Sequence, residues 1–511
     1  MISRIKYALL FLFALFYALT ALLAIAGVAE AHSAQPAAPG PVSQSWYFAE
    51  GRVGAGFVQW ITVGNPNTAD CTVNVQYNYT MDGASTSLVK TVSFSVPHLS
   101  RHTQYVNGDL NIKQFAPGAA TLSAIVSTSD CAGIVVERPM YFSGFHGTSS
   151  GTDVLGATTP QKTWYFAEVP SGSAGESFVA VLNPNTSDAH VTVTYYVGGI
   201  APIEVTQTVH ANARGTFQPN GIAQLVTHQH AAVKVTADQP IVVERASYFP
   251  GINGVSGSAA VMGIPAPANS WVLAAGTVRS GALENITIAA DPGATAAIPF
   301  TITLIASSGA TASFDETVDV HGQFVFNVNN NNVFTGHTDD VSAIVAAKNP
   351  DDKLLVQRQI FESYSGNNPK TPAWSAQGIS DSPGVPMSTT AGPQIYSFAE
   401  GFTSANFNEW LMLVNPTNTD ENVTVQLTNM LGEQSTNTVP VGAHSRVSFD
   451  VTSMVNNSAN VFSLSKSAAY AVSATVSADG PFAVERVMYW NAFSTKGTSA
   501  IPGLAQAQVV A

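Results

Sequence analysis

The sequence predicts an all-β protein: four tandem immunoglobulin-like β-sandwich domains preceded by an N-terminal signal or anchor helix. Three observations predict it: internal repetition, period-two alternation of apolar residues in every copy, and an uncharged apolar run near the N-terminus.

The repetition rests on three markers in fixed order. An aromatic-x-Phe-Ala-Glu-Gly stretch occurs at Trp46 to Gly51, returns at Trp164 to Val169 without the glycine, decays at Trp271 to Gly276, and returns at Tyr396 to Gly401. Nineteen or twenty residues after each start stands Asn65-Pro66, Asn183-Pro184, Asp291-Pro292 or Asn415-Pro416. An apolar run closes each copy at Glu137-Arg138, Glu244-Arg245, Gln357-Arg358 or Glu485-Arg486. Successive starts are 118, 107 and 125 residues apart, the length of autonomous domains rather than of solenoid repeats. The expected organisation is a signal peptide or anchor helix over 1–31, a linker over 32–45, and repeats over 46–160, 161–268, 269–392 and 393–511.

Strands follow from the alternation. Val73, Val75 and Tyr77 share one face with Thr72, Asn74 and Gln76 opposite, and Val191, Val193, Tyr195 and Val423, Val425, Leu427 repeat the pattern. The Asn-Pro turn reads as a tight hairpin, because proline presets φ and the asparagine side chain can bond the backbone two residues on. A second hairpin is expected around Asp130 to Gly133, Asp238 to Pro240 and Asp479 to Pro481. The Pro/Ser/Gly-rich stretch Ser363 to Gln394 reads as the most flexible linker, with shorter connectors at Ser143 to Thr163 and Pro250 to Ser270.

Arg4 and Lys6 precede the apolar run Tyr7 to Val28, and Ala29-Glu30-Ala31 is a small-x-small cleavage pattern, so the chain reads as secreted or held at the cell surface. Membrane contact is expected only through residues 7–28, if they are uncleaved. The charge of −13 and pI near 5.2 leave no basic footprint for nucleic acid. Cys71 and Cys131 lie in one repeat of an exported chain and read as a disulfide, with two buried thiols as the alternative.

The recurring charges admit a catalytic reading, in which Glu50 and Glu137 form a carboxylate pair of the glycosidase type. The same pair recurs as Glu168 with Glu244 and as Glu400 with Glu485, and an enzyme seldom needs three homologous sites in one chain. A structural cluster accounts for them better. A cation stands midway at Arg101, Arg214 and Arg446, whereas the third copy has Gln323 there, Ala275 for the first glutamate and Gln357 for the second. Joint loss suggests mutual salt bridges inside each copy, Glu50 with Arg101 and Glu137 with Arg101 or Arg138, with equivalents among Glu168, Arg214, Glu244 and Arg245 and among Glu400, Arg446, Glu485 and Arg486. Arg358 survives in copy three, where Glu362 is the expected substitute partner.

Other signals are weaker. Gly147-Thr148-Ser149-Ser150-Gly151 spells a nucleophile elbow but falls in a Gly/Ser connector without strand-to-helix context. His228 and His230 alternate with Gln229, yet no metal-binding motif accompanies them, and the Asn327 to Asn332 tract fits no EF-hand spacing. No cofactor or metal is expected. Trp46, Trp164, Trp271 and Tyr396 could be sugar platforms, but their pairing with Phe48, Phe166, Leu273 and Phe398 two residues on favours a core-facing edge.

Trp46 to Gly51, Asn65-Pro66-Asn67-Thr68 and Val136-Glu137-Arg138 resemble tandem extracellular repeats of secreted Chloroflexi and actinobacterial proteins, which often decorate larger exported chains. The resemblance implies no catalytic residue, and copy three departs from it at every recurring charged position except Arg358. The expected function is a non-catalytic structural or adhesive element of the cell surface or extracellular matrix, with an extracellular glycan or surface protein as partner. The alternatives are a carbohydrate-binding module array and, third, a secreted hydrolase.

Overall fold

The structure, a computed structural model, describes residues 42–115, 118–330, 334, 340–368, 371–387, 393–404, 406–457, 461–463, 470–492 and 495–505. The expected signal or anchor segment, most of the 32–45 linker and Asn331 and Asn332 lie outside them. The described residues are all-β, with short helices at Val106–Leu110, Ala223–His228 and Val451–Asn457. No described helix is long and apolar enough to cross a membrane.

The fourth copy shows the plan. One sheet runs in the order Gln434–Val441, Glu421–Asn429, Val472–Ala478, Gln394–Phe398, Leu504–Ala505; the other runs Ser445–Asp450, Phe407–Asn415, Ala483–Ala492, Thr495–Pro502. Alternation puts Val423, Val425 and Leu427 of the first sheet against Leu411, Leu413 and Val484 of the second, and these form the core with Tyr396 and Phe398. In the second copy a single long strand, His230–Ile252, serves both sheets.

Both expected hairpins are corrected by this plan. Phe57–Asn65 and Cys71–Met81 do not pair across the Asn-Pro turn; the first pairs with Ser100–Tyr105 and the second with Leu88–Val96 and Ala119–Thr128. The turn is an arch from one sheet to the other. Ala119–Thr128 and Val135–Glu137 are divided between sheets in the same way. Alternation reports that one face of a strand is buried, and a strand facing the core from above or below has the same pattern.

The asparagine of the arch is a buried fastener. Asn65 Nδ2 donates to the carbonyls of Ala69, Val96 and Pro97 at 3.0, 3.0 and 3.1 Å, and its Oδ1 accepts from Asn67 N at 2.9 Å. Asn183 and Asn415 accept from Asn185 N and Thr417 N in the same way. The ladders place Ala290, not Asp291, at this position in copy three, since Ala289 pairs with Gln323 as Val414 pairs with Arg446. The Asp-Pro marker of copy three is therefore displaced by one residue, and a carboxylate could not donate these bonds in any case.

The connectors are also corrected. Thr148–Thr152, Val255–Met262, Thr371–Pro383 and Thr495–Pro502 are strands at one edge of a sheet in each copy. They pack against one another in the cyclic order first, second, third, fourth, first, so the four copies close into a propeller-like ring with these strands on its axis. Serine and glycine mark close approach here, not mobility: a Cβ on Gly378 would come within 2.5 Å of Thr498 N. Residues from Gly40 onward form one compact unit, and stacking between copies is integral to it.

Cys71 and Cys131 form a disulfide with Cα atoms 5.6 Å apart, tying the first residue of one strand to the turn after its neighbour, Ala119–Thr128. Such a bond is supported by an oxidising, extracytoplasmic compartment. Closing a 60-residue separation constrains the unfolded chain by about 4 kcal/mol. The double substitution Cys71→Ala/Cys131→Ala is expected to lower the urea midpoint accordingly; an unchanged midpoint would show that the first copy does not unfold with the rest.

Candidate functional site

The twelve charged residues singled out from the sequence lie at the four boundaries between copies, and their ion pairs cross those boundaries except at Glu168, which pairs with His230 of its own copy. Arg101 Nη2 meets Glu400 Oε2 at 2.7 Å, and Arg214 pairs with Glu50. Arg138 meets Glu244 at 2.9 Å, Arg358 meets Glu485 at 2.8 Å, and Arg486 meets Glu137 at 2.8 Å. The pairing of Glu50 with Arg101 inside one copy is thereby corrected. Equivalent positions recur in every copy because each copy donates to one neighbour and accepts from the other, a head-to-tail interface that closes.

Each Phe-Ala-Glu segment is the element inserted into the next copy. Ala49 packs in the core of the second copy, Ala167 in that of the third and Ala399 in that of the first. The backbone at these points is satisfied by the neighbour: Ala49 N donates to Glu244 Oε1 at 2.8 Å, Ala275 N to Glu485 Oε2 at 2.8 Å and Ala399 N to Glu137 Oε1 at 2.7 Å. In return Arg101 Nε donates to Ala399 O at 3.0 Å and Arg214 Nε to Ala49 O at 2.9 Å. The preceding aromatics sit in the core and donate to a strand carbonyl. Trp46, Trp164 and Trp271 use Nε1 on Ile134, Ile241 and Leu354, and Tyr396 uses its hydroxyl on Phe482. No sugar can stack on them as placed.

The losses in copy three are made good by His230 of copy two and by other residues of copy three itself. Glu168 faces Gln323 in place of an arginine and gains His230, whose Nδ1 lies 2.7 Å from Oε1. Arg446 faces Ala275 in place of a glutamate and uses Ser342 Oγ at 3.0 Å, Ser307 Oγ at 2.6 Å and Asp340 at 3.9 Å. Arg245, opposite Gln357, pairs with Asp381, to which Gln357 Nε2 donates at 2.7 Å. The losses were thus not removals of mutual partners: each vanished residue left a charged partner on another copy, and that partner recruited a substitute. Glu362, the expected substitute for Arg358, instead accepts a hydrogen bond from Tyr489.

Sequence reasoning missed four buried acids. Asp153 pairs with Arg486, as Asp381 does with Arg245, and both begin an Asp-x-x-Gly pattern in copies one and three, where copies two and four have Ala260 and Ala500. Glu284 and Glu409 lie beneath the glycine of the first marker. A Cβ on Gly276 or Gly401 would come within 2.8 or 2.7 Å of their Oε1 atoms, and on Gly51 within 2.8 Å of Gln59 Oε1. The second copy has Val169 in place of that glycine, and the serine Ser177 six residues before its Asn-Pro turn. Covariation of this glycine with a long polar side chain was the available signal.

Burial pushes the carboxyls of Glu284 and Glu409 up to about 8, against the pull of Arg358 and Arg486 respectively. Burial, with the charge of Glu137 beside it, does the same to Asp153, also to about 8. Burial also raises Glu244, with Arg138 opposing. The hydrogen bond to Glu168 raises His230. Gln59 shows that a neutral group suits the position of Glu284 and Glu409.

The remaining sequence candidates have local partners. His228 Nδ1 lies 2.7 Å from Gln224 O, away from the Glu168 contact of His230, and no group of metal-ligating side chains occurs among the described residues. Ser149 of the elbow pattern lies on an axial strand, where its Oγ accepts from Gly144 N at 3.0 Å. On the axis, a cavity of about 10 Å³ is lined by Thr152, Asp153, Ser258, Ser380, Asp381 and Ser499, among others. A wider, open cup of about 490 Å³ lies among Ser149, Ser256, Gln377, Asn491, Thr495 and Lys496.

No family model and no curated protein matches the chain. Among solved structures, Thermotoga maritima 1070 aligns at 12% identity over 20% of this chain and 94% of its own, with a TM-score of 0.18. The Anabaena sensory rhodopsin transducer aligns at 25% identity over 16% and 94%, with a TM-score of 0.15. A tetra-tandem repeat from the extending region of a large adhesion protein aligns at 12% identity over 85% and 92%, with a TM-score of 0.08. Scores this low carry no argument about fold or function.

Two predictions follow from the charges. Glu137→Ala strands Arg486 with Asp153 alone and should cost about 3–5 kcal/mol in denaturant unfolding, whereas Asp82→Ala, at a half-exposed pair with Arg52, should cost no more than about 1 kcal/mol. Carboxyls raised in the fold bind protons that the unfolded chain releases from about pH 4 upward, so their contribution is full below that and lost as pH rises through about 8. The raised His230 acts in the same direction, being lost above its ordinary range near 6.5. The melting temperature should therefore be lower at pH 9 than at pH 5, and Glu409→Gln should flatten the slope; a melting temperature that rises across this interval would contradict the assignment.

Proposed function

We propose that this chain is a non-catalytic exported protein whose four divergent immunoglobulin-like sandwiches form a rigid structural and adhesive element of the cell surface or extracellular matrix. The observation that carries this reading is that the recurring charged residues are consumed in buried pairs between copies, which accounts for their recurrence without any chemistry. A disulfide agrees with export, as does the apolar segment over 7–28. The resemblance to extracellular repeats of secreted Chloroflexi and actinobacterial proteins supports the same placement.

A carbohydrate-binding array is the second reading. The burial of Trp46, Trp164, Trp271 and Tyr396 removes the repeated aromatic platform that would favour it in four copies. A single glycan site per ring remains compatible with the adhesive reading. A hydrolase is disfavoured because the glutamates that would act as acid and base are already engaged, Glu168 by His230 and the others by arginine.

Fractionation of expressing cells should place the full chain in the envelope or medium, and the purified chain should bind components of an extracellular glycan and matrix-protein panel without turning them over. Recovery in the cytosol, or hydrolysis that co-purifies with the chain, would refute the reading.

A further inference from the structure

We propose that the cup at one end of the ring axis binds a carboxylated, polyhydroxylated ligand, the chemistry of a uronic-acid residue in an acidic glycan. The proposal rests on the adhesive reading above and names the ligand class that it leaves open.

The cup is built by the ring and belongs to no single copy. Ser149, Gln377 and Lys496 stand at the same ladder position of their axial strands, opposite Ser143, Ser363 and Asn491, and Ser256 is the equivalent residue of the second copy, next to the Gly257–Phe249 pair. One level deeper come Ser150, Gly257, Gly378 and Gly497, where the strands approach most closely. Beyond that level a cavity of about 10 Å³, roughly one water, lies on the axis. The cup's volume of about 490 Å³ lies within the ~300–1,000 Å³ range of small-molecule sites.

The lining selects the ligand. Six polar side chains face the space, none of them acidic and none an aromatic platform. Hydroxyl and amide groups of Ser149, Ser256, Gln377 and Asn491 match the donors and acceptors of a sugar ring. Gln377 Nε2 donates to Gly254 O at 2.9 Å, which orients the amide and leaves its carbonyl oxygen to accept. Lys496, exposed to solvent, is the cation among the lining residues and has no acidic partner among the described residues. A single ammonium on a flexible stem matches one carboxylate; phosphate recognition would call for a second cation or a bidentate guanidinium. The ring is thus fourfold in backbone and asymmetric in charge, with its ammonium on one side of the cup.

Titration calorimetry of the full chain with digalacturonate, with neutral digalactose as control, tests the assignment. Wild type is expected to bind digalacturonate at least tenfold more tightly than digalactose, with affinity falling steeply in salt. Lys496→Gln should lose at least tenfold for digalacturonate, leave the melting temperature unchanged, and be partly rescued by Lys496→Arg. No binding by wild type, or equal binding by Lys496→Gln, overturns the proposal. Adhesion to envelope material, measured on the same proteins, separates the two readings: adhesion that persists in Lys496→Gln without digalacturonate binding rejects the cup as the adhesive site, and a wild type that binds digalacturonate but no envelope material rejects the adhesive reading while keeping the cup.

Discussion

A charge withdrawn from water must be met by an opposite one, and for the buried arginines of this molecule the opposite one lies on another copy. Arg138, Arg245, Arg358 and Arg486 are buried, and each finds its counter-charge across a boundary: Glu244, Asp381, Glu485, and Glu137 with Asp153. Desolvation of an unpaired guanidinium would cost several kcal/mol. An open row of four copies would leave one such group exposed or stranded at each end. Closure removes both ends, and the ring is the arrangement in which every copy is an interior copy.

The rest of the architecture serves that closure. The Phe-Ala-Glu strand leaves its own sandwich to place an alanine in the next core, and the axial strands carry serine, glycine and alanine because four of them must share one axis. Glycine beneath the first marker leaves room for Gln59, Glu284 or Glu409. Two acids, Asp153 and Asp381, come from alternate copies, each held by an arginine of the copy before it. The third copy shows how tolerant the scheme is: three of its recurring charges are gone, and His230, Asp340 and Asp381 restore the balance.

Much of this was legible in the chain. Period-two alternation located the strands around Val73, Val191 and Val423, the repeated markers identified the residues that matter, and cysteine parity gave the Cys71–Cys131 bond. The turn chemistry of Asn65, Asn183 and Asn415 was read correctly, with a donor bonded two residues on, yet the hairpins inferred from it were arches. The Pro/Ser/Gly composition of Ser363 to Gln394 reads as a linker, although Thr371–Pro383 within it is a strand closely approached by its neighbour at Gly378.

The sequence by itself determined the strand periodicity, the copy number and which side chains had to be neutralised, because these depend on composition and spacing along the chain. Only the tertiary structure decided which sheet each strand joins, which arginine meets which glutamate, and that the axis ends in a polar cup. Those facts concern residues hundreds of positions apart, such as Arg486 and Asp153 at a separation of 333, and similar copies offer every charge several chemically equivalent partners. Local pattern cannot rank such partners; the geometry of ring closure does.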